Sequence, residues 1–329
     1  MKEKEKIKKY LPETAGFLMK TNIPTINEDL KVGDIEKMLL EKSKQFETID
    51  YVYVLDKFQK LKGVISIKEL YGIEKTALVR NHFIKNPVSS RPSADQEKVA
   101  LLAVRHNIKA IPVVDKKNKF LGVVVSDDIL NILHSESVED ALRFAGSRKF
   151  SSNRGIVEAG VLVHFKKRFP WLFLGLLGGI LAAMVVGFFE GELAKNIALA
   201  SFIPAIVYMA DAVGSQTQTI FIRSLALAHK LDLKKYIWRE VRVNFILAIL
   251  LGGVVFGVGN FWAGSMILAS ILGFSITLTI MMAMVVAIFL PWMLEKFKYD
   301  PAIASGPFAT VVRDILSLLI YFSVAGFFL

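Results

Sequence analysis

No cysteine occurs among the 329 residues, so disulfides, thiolate metal sites and cysteine nucleophiles are all excluded. Histidine is scarce too. The five, His82, His106, His134, His164 and His229, show no His-Glu-x-x-His spacing, and none lies well inside a long apolar run. A zinc hydrolase, intramembrane metalloproteases included, therefore lacks its ligands, and the chain reads as a protein that is not an enzyme. The start is charged rather than apolar (Lys2–Lys9), so a cleavable signal peptide is not expected. Charge is thin in the second half: residues 171–329 hold 8 acidic and 10 basic residues, against 30 and 41 in the whole chain. Apolar side chains take its place, and hydrophobic residues make up 53% of the chain.

Length and composition together predict two domains, the first water-soluble and the second embedded in lipid. Of the net charge of +11, about +9 falls before residue 171, much of it in Lys2–Lys9 and Lys166–Arg168. Basic residues beside a first apolar span read as a cytoplasmic flank, and no nucleic-acid partner is expected. The first span is Trp171–Phe189, 19 uncharged residues, long enough for a hydrocarbon core of about 30 Å. A second runs over about Ile197–Ala228, with Pro204 inside it. Val243–Leu294 is 52 residues without a charge, hence two spans with a turn near Gly259–Ser265. Ile303–Leu329 makes the fifth. Lys166–Arg168, then Lys230, Lys234, Lys235, Arg239 and Arg242, then Lys296 and Lys298 mark alternate loops, while Glu190, Glu192 and a single Lys195 mark another. The excess of Lys and Arg puts the N-terminus in the cytoplasm and the C-terminus outside a cell (inner or plasma) membrane.

Two polar clusters interrupt these spans. In the last, Thr310, Asp314, Ser317 and Tyr321 fall on one helical stripe, one turn into lipid, where a charge costs about 2.5–3.5 kcal/mol and normally faces a bundle interior or water. Just upstream, Pro301, Gly306 and Pro307 break the helix and release carbonyls near Ala304–Phe308, which lipid does not tolerate without protein or water beside them. In the second span, Asp211, Ser215 and Gln218 share one face; Gln216, Thr219 and Arg223 share its neighbour. Arg313 would oppose cations if it faced them. At about 100° per residue it is expected on another side of the helix from Asp314. Asp211 is either a further oxygen ligand or the partner of Arg223 or Arg313. A helical bundle that served only as an anchor for a nucleotide or metal sensor would need none of this polarity.

The soluble half contains a repeat. A shift of 59 positions lays Tyr53-Val-Leu-Asp56 over Pro112-Val-Val-Asp115, and Gly63-Val-Ile over Gly122-Val-Val. Each copy offers a helix-period run (Val32–Lys44; Asp95–Asn107), a strand, a charged turn (Asp56–Lys62; Asp115–Lys119), a second strand and a short helix. Neither copy is large enough to bury a core alone. Residues 1–20 look helical and amphipathic. Glu136, Glu139 and Asp140 crowd one short helix with Asp127 and Asp128 nearby, and carboxylates so placed repel unless solvent or a hard cation intervenes.

These motifs carry a resemblance. Asp300-Pro-Ala, Ala-Ser-Gly-Pro-Phe308, Thr310, Asp314 and Leu-Leu-Ile-Tyr-Phe322 look like the last-helix signature of the MgtE family of magnesium channels. Gly214, Gln216, Thr219, Arg223, Leu225 and Ala226 fit its second helix, though Ala212 and Ser215 stand where asparagines are usual. Arg168-Phe-Pro-Trp-Leu172 and Arg239-Glu240 fit the starts of the first and third spans. Glu240 either helps capture a cation or forms a rim ion pair. The repeat resembles a tandem CBS (Bateman) module, and Gly122-Val-Val-Val-Ser-Asp-Asp128 is close to its strand-to-helix form, with Val125 in place of the usual hydroxyl residue.

The resemblance implies a multidomain protein, an α+β tandem CBS module followed by an all-α five-helix transmembrane domain. Its parts would be a helical lead (1–20), the CBS pair (21–146), a connecting, plug-like helix (147–168) and the five spans (169–329). It implies a homodimer in the lipid bilayer with a Mg2+ pore near its axis, lined by Asp314, Asp211, Thr310, Ser317 and Gln216. Regulatory Mg2+ sites would use Asp127, Asp128, Glu136, Glu139 and Asp140, and an adenosine nucleotide would bind the CBS clefts. The family's usual N-terminal helical domain is not expected here, since only about ten residues precede the resemblance. A membrane-anchored nucleotide or metal sensor, or a transporter of other divalent ions such as Mn2+ or Co2+, is the alternative.

Overall fold

The two hairpin turns show how the repeat is written into the backbone. Asp56 Oδ1 accepts the N–H of Phe58 and of Lys60, at 2.8 and 2.9 Å, and Asp115 Oδ1 accepts those of Lys117 and Lys119, both at 2.8 Å. Each turn closes through a left-handed residue, Gln59 (φ 62°) or Asn118 (φ 64°). The backbone bonds, led by those from Lys60 and Lys119, hold both carboxyls below the usual carboxylate range.

The computed structural model describes residues 10–147, 150, 153–227, 231–297 and 299–329, and the chain forms two units, 1–137 and 138–329. Lys2–Lys9, Lys230 and Lys298 lie outside the described residues.

In the first unit, β1 (Thr25–Asn27) runs parallel to β2 (Tyr51–Leu55). β3 (Leu61–Ser66) pairs antiparallel with β2 and with β4 (Ile84–Lys85). The second copy repeats the plan. β5 (Ile111–Val114) and β6 (Phe120–Val124) are antiparallel, and single bridging residues stand at the edges, Ser90 parallel to Val113 and Lys20 antiparallel to Val123. Helices Val32–Lys42 and Gln96–His106 bury Val32, Ile35 and Leu39, and Val99, Ala100 and Ala103, at helical spacing. Asp95 caps the second of these by accepting the N–H of Glu97 at 2.9 Å, and left-handed Asn107 ends it. The copies share a core of Ile23, Tyr53, Leu55 and Leu61 against Ala110, Val114, Val123 and Val125.

Three expectations change here. First, residues 10–20 of the lead are not a helix but one short turn, Ala15–Leu18, between bridges. Ala15 and Gly16 donate their N–H groups to Ala94 and Pro92, and Ala15 is buried with Val99, Ala103 and Ile111. The lead therefore completes the second repeat. Second, the helix after β6 is long, Ser126–Phe144. Third, the connection 147–168 is not a separate helix: a short helix, Asn153–Glu158, precedes one that runs unbroken from Val161 to Phe188. Hydropathy marks where lipid begins, whereas this helix begins ten residues earlier and carries Lys166–Arg168 on its first turns; Pro170 lies inside it.

Among the described residues, the second unit holds five helices long and apolar enough to cross a membrane, starting with Val161–Phe188. The others are Ala198–Leu227, Leu233–Ala263, Met266–Lys296 and Pro307–Phe328. Gly264 (φ 61°) and Ser265, which accepts the N–H of Leu268 at 3.3 Å, make the tight turn between the third and fourth. The fourth helix is central and buries Leu268, Ile271, Leu272, Ile276 and Ile280 against Leu199, Ile206, Leu318 and Phe322. The first helix is peripheral. Among its residues Gly178 is buried, because Val311 packs where a Cβ would stand.

Candidate functional site

The fifth helix is reached through a broken segment. Asp300 Oδ1 accepts the N–H of Ala302 at 2.8 Å and starts a 3-10 turn over Pro301–Ser305. Gly306 is extended and Pro307 restarts the helix. Breaking the chain twice within seven residues leaves carbonyls unclaimed. One of them, Ala304 O, accepts Gln218 Nε2 from the second helix at 2.9 Å.

Six residues into the fifth helix stands Arg313, whose side chain crosses to the second helix and is completely buried. Its Nη2 donates to Asp211 Oδ1 at 2.7 Å and to Ser215 Oγ at 3.2 Å, and its Nη1 donates to Gln218 Oε1 at 2.9 Å. Thr310 Oγ1 donates to the same Asp211 oxygen at 3.0 Å. The crossing depends on Gly214, where a Cβ would overlap the Arg313 side chain. Of the two readings of Asp211, its Oδ1 is engaged as the partner of Arg313.

Asp314 follows at once. It is half-buried, and its Oδ1 is buried with no hydrogen-bond partner. The rest of the expected stripe is not a row of open hydroxyls. Ser317 is buried and donates to the Asp314 carbonyl at 2.8 Å, and Tyr321 donates to Leu199 O at 2.8 Å. Ser317 therefore sits in helix packing with its hydroxyl proton committed to the backbone, as serines within helices tend to do. On the second helix, Gln216, Thr219 and Arg223 are exposed, as is Ser215. Four polar residues thus form an uncovered face on an apolar span.

The five acidic residues expected to gather do not. They are strung along Ser126–Phe144, and 13 residues of helix, about 20 Å, separate Asp127 from Asp140. Asp128 pairs with Lys20 at 3.8 Å, and Glu136 accepts Gln96 Nε2 at 2.5 Å. Glu139 pairs with Arg143, which also pairs with Asp300, and Asp140 pairs with Arg223 at 3.6 Å. Burial pushes the Asp128 carboxyl up against the opposing pull of Lys20, and pushes Asp140 up against Arg223 and Arg143. Among the described residues, no three His, Cys, Asp or Glu side chains come together as a metal site. Glu240 is buried beside Arg239, 3.2 Å away, which is the rim ion pair.

Gln218 and Arg143 were not among the expected site residues. The face shared by Asp211 and Gln218 was the signal for the first. For the second, nothing local in the sequence points from residue 143 to residue 300.

A CBS-like pair followed, among the described residues, by five membrane-length helices with a buried guanidinium paired to Asp211 defines a multi-span membrane protein with an added α+β module. Residues 203–324 match the MgtE family of divalent cation transporters, and residues 15–73 and 79–135 each match the CBS domain. The magnesium transporter MgtE of Bacillus subtilis is 32% identical over 322 residues, which is 97% of this chain and 70% of that one. The magnesium transporter MgtE of Thermus thermophilus is 31% identical over 328 residues, 98% and 72% of the two chains. The crystal structure of the cytosolic domain of the Mg2+ channel MgtE in complex with ATP is similar at 31% identity and a TM-score of 0.38, over 39% of this chain and 52% of that one. The chain belongs to the MgtE family.

Proposed function

We propose that the chain carries Mg2+ across a cell membrane along a path past Asp314. The observation that carries this is the Asp314 oxygen, buried in a membrane span without a partner about two turns beyond a broken segment. A carboxylate left so at lipid depth needs a cation or water. Mg2+ is held octahedrally and gives up water reluctantly, so its path calls for few carboxylates and for polar groups that meet bound water. Gln216, Ser215 and Thr219, exposed on the adjoining second helix, are of that kind. An uncovered polar face on an apolar span also supports a second copy of the chain against it, giving a homodimer with both Asp314 side chains near the axis.

The CBS pair is the regulatory part, on the cytoplasmic side by the distribution of Lys and Arg, with the C-terminus outside. Its ligands are Mg2+ and an adenosine nucleotide. Asp127, Asp128, Glu136, Glu139 and Asp140 are spread too far for one ion, so any Mg2+ on this helix binds at separate places with groups beyond the helix itself. The test is Mg2+ uptake by the purified chain in liposomes, for wild type and Asp314→Ala, with inside Mg2+ varied. Uptake lost in the variant and suppressed by inside Mg2+ is expected. Unaltered uptake in Asp314→Ala removes Asp314 from the path.

A further inference from the structure

Arg313 is the least expected group near Asp314, and its surroundings define what Asp211 is for. We infer that Asp211 serves as the counter-ion of Arg313 rather than as an ion ligand, and that the pair is a neutral clamp which leaves Asp314 as the one unbalanced charge of the path. The inference rests on the Mg2+ reading above.

Geometry is the first ground. Arg313 is wholly buried, whereas the Asp211 side chain is 40% exposed, and the two meet at 2.7 Å. A guanidinium shut inside a span requires a carboxylate with good hydrogen-bond geometry, because a buried charge without its partner is strongly unfavourable. Asp211 Oδ1 is further occupied by Thr310 at 3.0 Å, so the oxygen nearest the cluster already accepts two hydrogen bonds. The second ground is connectivity. Through Gln218, Arg313 also holds Ala304 O, so one guanidinium ties the second helix to the fifth and to the break before it. Arg313 is thereby a positioning residue for Asp314, its neighbour in sequence. The third ground is charge. With Asp211 and Arg313 cancelling, each copy presents one net negative charge, and a pair of copies balances one dication. Four free carboxylates would hold Mg2+ too tightly to release it, and conduction requires leaving as well as binding.

The experiment compares Asp211→Asn, Arg313→Gln and the double variant of the full chain, by Mg2+ flux into liposomes and by melting in detergent. Asp211→Asn leaves a bare cation beside Asp314, and maximal flux should fall at least tenfold. Arg313→Gln frees a second carboxylate. The KM for Mg2+ should fall at least threefold while the maximal rate also drops, a split that loss of packing alone does not produce. The double variant restores the charge balance and should recover at least fivefold over Asp211→Asn. Each single change should lower the melting temperature, with the double recovering most of it. If Asp211→Asn fails to fold while the double folds, the clamp stands. A double variant as inactive or as unfolded as Asp211→Asn, or an unmoved KM in Arg313→Gln, overturns it. Should the wild type carry no Mg2+, the functional reading fails instead, and recovery or non-recovery of melting in the double variant still decides the clamp.

Discussion

Two arginines in the second unit pair with carboxylates, Arg313 with one and Arg143 with two, and they differ in access to water. Arg313 has none, and its partners Asp211, Gln218, Ser215 and Thr310 are all supplied by the second and fifth spans. Arg143 is 23% exposed. It joins Glu139, one turn earlier on its own helix, to Asp300, which is 41% exposed at the start of the broken segment. Beside it, Asp140 reaches Arg223, 48% exposed. In a dry setting the pairing is close to fixed, since no ion or water competes for it. In a wet one the same chemistry is weak and salt-sensitive, and dissolved cations compete for the carboxylates. The buried arginine suits the holding of a geometry and the partly exposed one, through Asp300, suits release.

The comparison is most easily broken at Gly214. Gly214→Ala alters no charge, yet its methyl occupies the space of the Arg313 side chain. Overpacking of this kind costs about 1–3 kcal/mol. The expected result is a lower melting temperature together with the reduced maximal flux of a broken clamp. Gly179, on the first span, has nothing near its would-be Cβ, so Gly179→Ala should leave melting unchanged or raise it slightly through helix propensity. Equal behaviour of the two alanine variants would remove the steric argument.

Arg143→Ala comes next. Asp300 is partly wet but Glu139 is buried, so the stability change should be about 1–3 kcal/mol, with its salt-sensitive part coming from Asp300. The difference from wild type should shrink as salt rises from low to high. The same variant should shift how inside Mg2+ suppresses uptake while maximal uptake at low inside Mg2+ persists. A salt-independent loss as large as that of Gly214→Ala would make the two arginines equivalent.

The smallest effect concerns acid. Burial raises the folded-state pKa of Asp140 above the unfolded value of 3.8, so the folded chain binds that proton more tightly than the unfolded one. Stability from this group is therefore greatest at low pH, declines as pH rises from about 3.8 through the raised value, and is level above it. Wild type measured against Asp140→Asn across that window should lose ground as pH rises. A flat difference would mean that Arg223 and Arg143 offset the burial completely.

Much of this was legible beforehand. Uncharged length gave the spans, and the hairpin aspartates Asp56 and Asp115 gave the repeat, because both signals are local and periodic. The turn at Gly264–Ser265 fell within the stretch expected for it. What was hidden depends on reach across space. The partners of Arg313 were hidden because a wheel describes backbone direction, not the path of a long side chain over a glycine. Ser317 read as a pore hydroxyl because nothing in its spacing reveals a bond to its own helix. Glu136, Glu139 and Asp140 read as a cluster with Asp127 and Asp128 because sequence nearness looks like spatial nearness until the length of the helix is known.

The bridge from Lys20 to Val123, with Ala15 seated among Val99, Ala103 and Ile111, has a consequence for how the first unit comes into being. The earliest described residues are an edge of the later repeat, so during synthesis they must wait, unpaired, while the whole first repeat is made. The strands of the first repeat can pair before the second exists, although the second copy completes their shared core, but the second cannot close without the segment before Thr21. A cut just before Thr21 would accordingly be felt in the half of the unit more distant in sequence, and would leave the nearer half with its own strands intact.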